Sequence, residues 1–143
     1  MQYDLGRFKK AQEMDYQTAL QEVKAGRKRS HWIWYIFPQL KGLGYSRMSD
    51  YYGLKDIAEA EAYLDDPLLK SRLLQISKAL MDTGKNDPSD VFGYPDYMKV
   101  HSCMTLFSIV SQEDSIFRQV LDQFYAGRQD PGTIRILQSR GEI

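Results

Sequence analysis

The sequence predicts an all-α protein, a compact single-domain bundle of six to eight helices with short loops. Three observations carry this. Helix-starting residues and helix-stopping glycines alternate along the chain, apolar residues recur at three- and four-residue spacing, and period-two alternation closed by a tight hairpin turn occurs nowhere. The 143 residues suit one domain. A chain of that length buries roughly 68–70% of its unfolded surface, so it folds without disulfide or metal.

Each element has its own signal. Asp4 precedes Leu5, Phe8, Ala11 and Gln12 as a cap, and Asp15 caps a second segment with Ala19, Leu20 and Val23 on one face and Gly26 as its stop. Trp32–Phe37 is the one β-like run, ended by Pro38, and it has no partner of similar character. Gly42-Leu43-Gly44 is a turn, and Ser46 or Ser49 starts a short helix that Gly53 ends. Asp56 opens an alanine-rich helix over 57–64. Asp66-Pro67 puts proline at the first helical position of an amphipathic stripe, Leu69, Leu73, Ile76 and Leu80. After a loop over 83–88 and one turn at 89–92, Asp96 caps a helix over 97–108. Glu113 or Asp114 leads into Ile116, Phe117, Val120, Leu121 and Phe124, ended by Gly127, and Asp130-Pro131 opens a last helix.

Composition narrows the function classes. Lysine plus arginine equals aspartate plus glutamate at 19 each, which argues against bulk nucleic-acid binding and leaves room for a local basic patch. The single cysteine, Cys103, excludes an intramolecular disulfide and fits a reducing, bacterial-type cytoplasm. No apolar run approaches the roughly 18 residues of a membrane span, and Met1-Gln2-Tyr3-Asp4 lacks the opening of a signal peptide. Tyrosines (10) outnumber phenylalanines (6), which predicts rings with one wet end, as at Tyr51-Tyr52 and Tyr94…Tyr97.

Chemistry concentrates in one stretch. Arg27-Lys28-Arg29-Ser30-His31 runs straight into Trp32, Trp34, Tyr35 and Phe37. Guanidinium groups beside tryptophans suit a phosphate or stacked base, and they also suit a solvated turn whose cations complement the preceding helix end. His31 is an acid/base group, a donor to a bound anion, or an anchor to a backbone carbonyl. Gly42-Leu43-Gly44-Tyr45-Ser46 could offer backbone N–H groups to an anion but lacks the lysine and hydroxyl of a P-loop. His101 and Cys103 lie two apart on one helix and diverge, so they make no nucleophile pair, and no metal-ligand spacing exists.

Three blocks carry a family resemblance. Arg27–Gln39, then Gly42-Leu43-Gly44 with Tyr51-Tyr52-Gly53, then Lys99-x-His101-Ser102-Cys103-Met104-Thr105-Leu106-Phe107 resemble the bacterial family called domain of unknown function 1810, across essentially the whole chain. The resemblance implies one compact helical domain and no particular activity. More distantly, Tyr51-Tyr52-Gly53, Glu59-Ala60, Leu64, Thr83-Gly84 and Phe92-Gly93 are similar to the NADAR family of helical N-glycosidases. That similarity implies a catalytic carboxylate, with Glu59 or Glu61 as the positions for it. Asp90-Val91-Phe92-Gly93 only approximates the family's Asp-x-x-Trp-Gly element.

Two function classes follow. The first is a binding or interaction module whose pocket for a nucleotide-like or phosphate ligand is made by Arg27, Arg29, Ser30, His31, Trp32 and Tyr52. The second is an enzyme on an ADP-ribose- or nucleotide-linked substrate, with His31 or Glu59 in acid/base work. The expected partner is a small anionic ligand. No cofactor, metal or membrane is expected.

Overall fold

The computed structural model describes residues 3–112 and 115–143. Among these residues nine helices follow in order: α1 (Gly6–Lys24), α2 (Ile33–Ile36), α3 (Arg47–Tyr52), α4 (Ile57–Asp65), α5 (Pro67–Asp82), α6 (Pro88–Phe92), α7 (Asp96–Val110), α8 (Ile116–Phe124) and α9 (Pro131–Ser139). Six are long, and α2, α3 and α6 are short turns that bring the total above the expected six to eight. Among the described residues the extended pairing is one isolated bridge, Leu40 with Leu54. Among the described residues no helix is long and apolar enough to cross a membrane.

Several starts follow the sequence signals. Ser46, Asp56, Asp66 and Asp130 each accept a hydrogen bond from a first-turn N–H, and Pro67 and Pro131 open their helices. Gly26, at φ 79°, ends α1. Three caps do not form. α1 runs unbroken from Gly6 through Asp15, and neither Asp4 nor Asp15 caps it. Asp15 instead receives the Tyr35 hydroxyl. Asp96 lies inside the first turn of α7, where it pairs with Lys28 at 2.7 Å and Lys99 at 3.2 Å. The start expected at Glu113 or Asp114 lies outside the described residues, as do Met1 and Gln2, and Ser115 caps α8.

α7 is the central post. Val100 and the unbroken run 102–107 are buried, so the middle of this helix is enclosed on every side. α4, α8, α9 and the short α2 and α6 pack around it, while α5 joins α1, α4 and α8. The core is threaded by rings. Phe8 meets Tyr63 edge-on at 5.2 Å, Tyr63 meets Phe107 at 5.4 Å, and Phe107 meets Phe117 at 5.6 Å. Buried Gln12 donates to the Tyr35 carbonyl at 2.8 Å and to the Tyr63 hydroxyl at 3.0 Å. The β-like run is α2, one helical turn whose Trp32, Ile33, Tyr35, Ile36 and Phe37 are buried on both faces.

Candidate functional site

The basic elbow after α1 is built around a carboxylate of its own. Glu22, one turn before the end of α1, accepts from the Arg29 N–H (2.8 Å), the Ser30 N–H (2.9 Å), Ser30 Oγ (2.6 Å) and Trp32 Nε1 (2.9 Å). Burial alone raises the Glu22 carboxyl, but these four bonds outweigh it and hold its pKa down to about 2. The donors expected to cradle a ligand anion therefore already hold one. Lys28 is committed as well, to Asp96 and to the Trp32 ring at 5.0 Å. Arg27, Arg29 and His31 stand exposed. Arg27 lines a shallow hollow of about 340 Å³ against α6, which neither Arg29 nor His31 reaches. Tyr52 lies elsewhere, in a groove between α1 and α3 with Tyr35 and Asp15. The predicted group of six thus splits: Ser30, Trp32 and the Arg29 backbone N–H meet on Glu22, and the Arg27, Arg29, His31 and Tyr52 side chains do not converge.

Glu59 is buried at 3% exposure beside a wide surface cleft of about 1060 Å³. One oxygen pairs with Arg7 Nη1 at 3.0 Å and the other accepts the Lys55 N–H at 2.7 Å. Arg7 is equally committed. Its Nε donates to the Tyr51 carbonyl at 2.9 Å and its Nη2 to the Gly53 carbonyl at 3.0 Å. The pair pins α1 to the α3–α4 corner, and its geometry is that of a lock. Glu61 is exposed on α4, and the 90–93 element lines the Arg27 hollow, away from Glu59. Cys103 is buried, which pushes its thiol well up and makes it inert.

A third concavity, of about 760 Å³, lies between the 42–46 loop, the start of α7 and α9. Its size suits a small molecule. The Leu40–Leu54 bridge closes the loop's base, with Lys41 N–H donating to the Leu54 carbonyl at 2.7 Å and Leu54 N–H to the Gln39 carbonyl at 2.9 Å. Gly44 is required because a Cβ there would sit 2.4 Å from Ser49 Oγ. The floor is polar and fixed: Ser102 Oγ lies 2.8 Å from Asp130 Oδ2, which also accepts the Thr133 N–H and hydroxyl. The rim is aromatic and open, with Tyr45 fully exposed and Tyr94 and Met98 more than half exposed. Lys99 is held by Asp96 and lies 5.6 Å from the Trp34 ring centre. The Arg135 guanidinium meets no acceptor among the described residues.

Gln39 is the exceptional lining group. It is 8% exposed, yet among the described residues its carboxamide has no hydrogen-bond partner, and it lines this cleft. Buried amides are normally satisfied. The sequence flagged Gln39, the glycine loop, Lys99 and Ser102 as motif members and Asp130 as the opener of the last helix, but it gave no sign that Asp130 and Arg135 would meet the others.

The family model described as "Protein of unknown function (DUF1810)" matches residues 2–137. The crystal structure of the conserved hypothetical protein Rv1873 from Mycobacterium tuberculosis is similar, with a TM-score of 0.92 and 38% identity, covering 95% of this chain and 97% of that one. No curated protein matches.

Proposed function

The chain belongs to the DUF1810 family, and from that premise we propose that it is a binding module that takes a small organic anion into the cleft between the 42–46 loop, α7 and α9. The observation that carries this reading is the Gln39 carboxamide, held in the wall of the cleft by a largely buried residue and paired with no described residue. The anionic preference comes from Arg135, whose guanidinium meets no described acceptor, since Lys99 is paired with Asp96 and the Oδ2 of Asp130 is saturated by three donors. The basic elbow lends less support, because Glu22 already occupies it. The N-glycosidase alternative has less support too, because both oxygens of Glu59 are engaged.

A thermal-shift screen with inorganic phosphate, ribose 5-phosphate and nucleoside monophosphates tests the reading. A probe at 100 times its dissociation constant adds about 2.7 kcal/mol of apparent stability. Arg135→Ala should weaken the responding probe about tenfold, and Arg27→Ala should leave it unchanged. Loss on Arg27→Ala with none on Arg135→Ala would move the site to the elbow and overturn the proposal.

A further inference from the structure

We infer that the ligand of this cleft is a nucleoside monophosphate, whose base edge is read by Gln39 and whose phosphate is taken by Arg135. The inference rests on the reading of the cleft as an anion site and says what is attached to the anion.

Three features of the lining argue for a flat, hydrogen-bonding ring. A glutamine carboxamide presents one acceptor and a donor side by side, the complement of the adjacent donor and acceptor on the edge of a nucleobase. Gln39 offers that pair from the wall of the cleft with neither half engaged by a described residue. A bare phosphate has no use for the acceptor half, since its oxygens accept only. Tyr45 and Tyr94, both lining the cleft, hold their rings in solvent without a core role. Exposed rings at the mouth of a concavity supply stacking faces, which bases use irrespective of their identity. Arg135 supplies the planar fork that takes two phosphate oxygens at once. Lys99 is less available, because Asp96 already neutralises it at 3.2 Å.

The glycines of the loop are not part of this recognition. Gly44 is small to clear Ser49, and the Leu43 side chain lies 3.1 Å from where a Cβ on Gly132 would stand. The loop's chemistry is packing against α3 and α9, and its gift to the site is the position of Tyr45.

Isothermal titration of the full chain with AMP, GMP, UMP, ribose 5-phosphate and guanosine separates the two levels of the argument. At least one mononucleotide should bind ten times more tightly than ribose 5-phosphate. Gln39→Leu, which keeps the side chain's bulk, should remove most of that tenfold preference while leaving ribose 5-phosphate where it was. Tyr45→Ala, at a fully exposed position, gives the same readout should Gln39→Leu fail to fold. If ribose 5-phosphate binds as tightly as every mononucleotide and neither variant alters the ratio, ring recognition is overturned and the anion cleft stands. If no phosphate-bearing probe binds, the anion cleft itself falls and this inference with it.

Discussion

At the scale of single residues, two carboxylates do structural work that their chemistry disguises. Glu22 stitches the turn after α1 to Trp32 through four hydrogen bonds. Its folded pKa of about 2 lies below the ordinary 4.5, so the stabilisation is complete above about pH 4.5 and disappears as pH falls toward 2. Solvent screening at this part-exposed position leaves about 1–2 kcal/mol of it. Glu22→Gln should therefore lower unfolding stability by that amount at pH 7, with the gap to wild type closing between about pH 4.5 and 2 in urea melts. A gap that is constant across that window would sever the link to ionisation. Arg7 and Glu59 make the second case. Both side chains are under one-tenth exposed, so removing the cation strands a buried charge. Arg7→Met should cost about 3–5 kcal/mol, against a smaller loss for Glu59→Gln, and chemical denaturation of both variants and the double variant measures the coupling.

At the scale of elements, caps that depend only on neighbours in sequence were legible, and caps contested from across the fold were not. Ser46, Asp56, Asp66 and Asp130 find their N–H groups two or three residues on, a local fact. Asp15 has an equally good local signal but lies beneath the Tyr35 hydroxyl of α2, and Asp96 is drawn to Lys28 of the elbow. The Trp32–Phe37 run was legible as dense and apolar, and its conformation was not, because a run apolar all round has no period to read. The site followed the same rule. Cations beside aromatics signalled an anion, and the anion was Glu22, nine positions before His31 and on a different element. The cleft needed Gln39, Lys99, Asp130 and Arg135 to meet, and only the folded chain makes them neighbours. One element-scale expectation concerns the base of the 41–53 loop. A Cβ on Gly53 would lie 2.7 Å from the Lys41 Cα. Gly53→Ala should push the loop's two ends apart at a cost of about 1–3 kcal/mol. Hydrogen exchange should then quicken at the Lys41 and Leu54 amides, which form the bridge, before it quickens in α7.

At the scale of the whole molecule, the 41–57 segment is where distant parts of the chain are gathered. From α1 comes Arg7, on the carbonyls of Tyr51 and Gly53. From beyond α9 comes Arg140, donating to the carbonyls of Lys55 at 2.8 Å and Lys41 at 3.3 Å, while Glu142 accepts the Ile57 N–H at 2.9 Å. These bonds span 85 to 99 positions, so they form only after the bundle has closed and belong to its last-secured layer. They also have a bearing on ligand binding. Arg140 grips both sides of the loop base at Lys41 and Lys55, and α9 behind it supplies Asp130 and Arg135 to the same cleft that the loop lines with Gly42–Ser46. Loosening the grip should therefore disturb the spacing between Tyr45 and Arg135 without touching either. Arg140→Ala with Glu142→Ala removes three exposed or part-buried bonds, together about 1–3 kcal/mol. The double variant should unfold at lower denaturant with an unchanged m-value, and its affinity for whichever phosphate probe the wild type accepts should fall several-fold. An affinity that holds while stability drops would mean that the loop keeps its place by the Leu40–Leu54 bridge and Gly44 packing alone, and that the long-range bonds serve the fold and not the cleft.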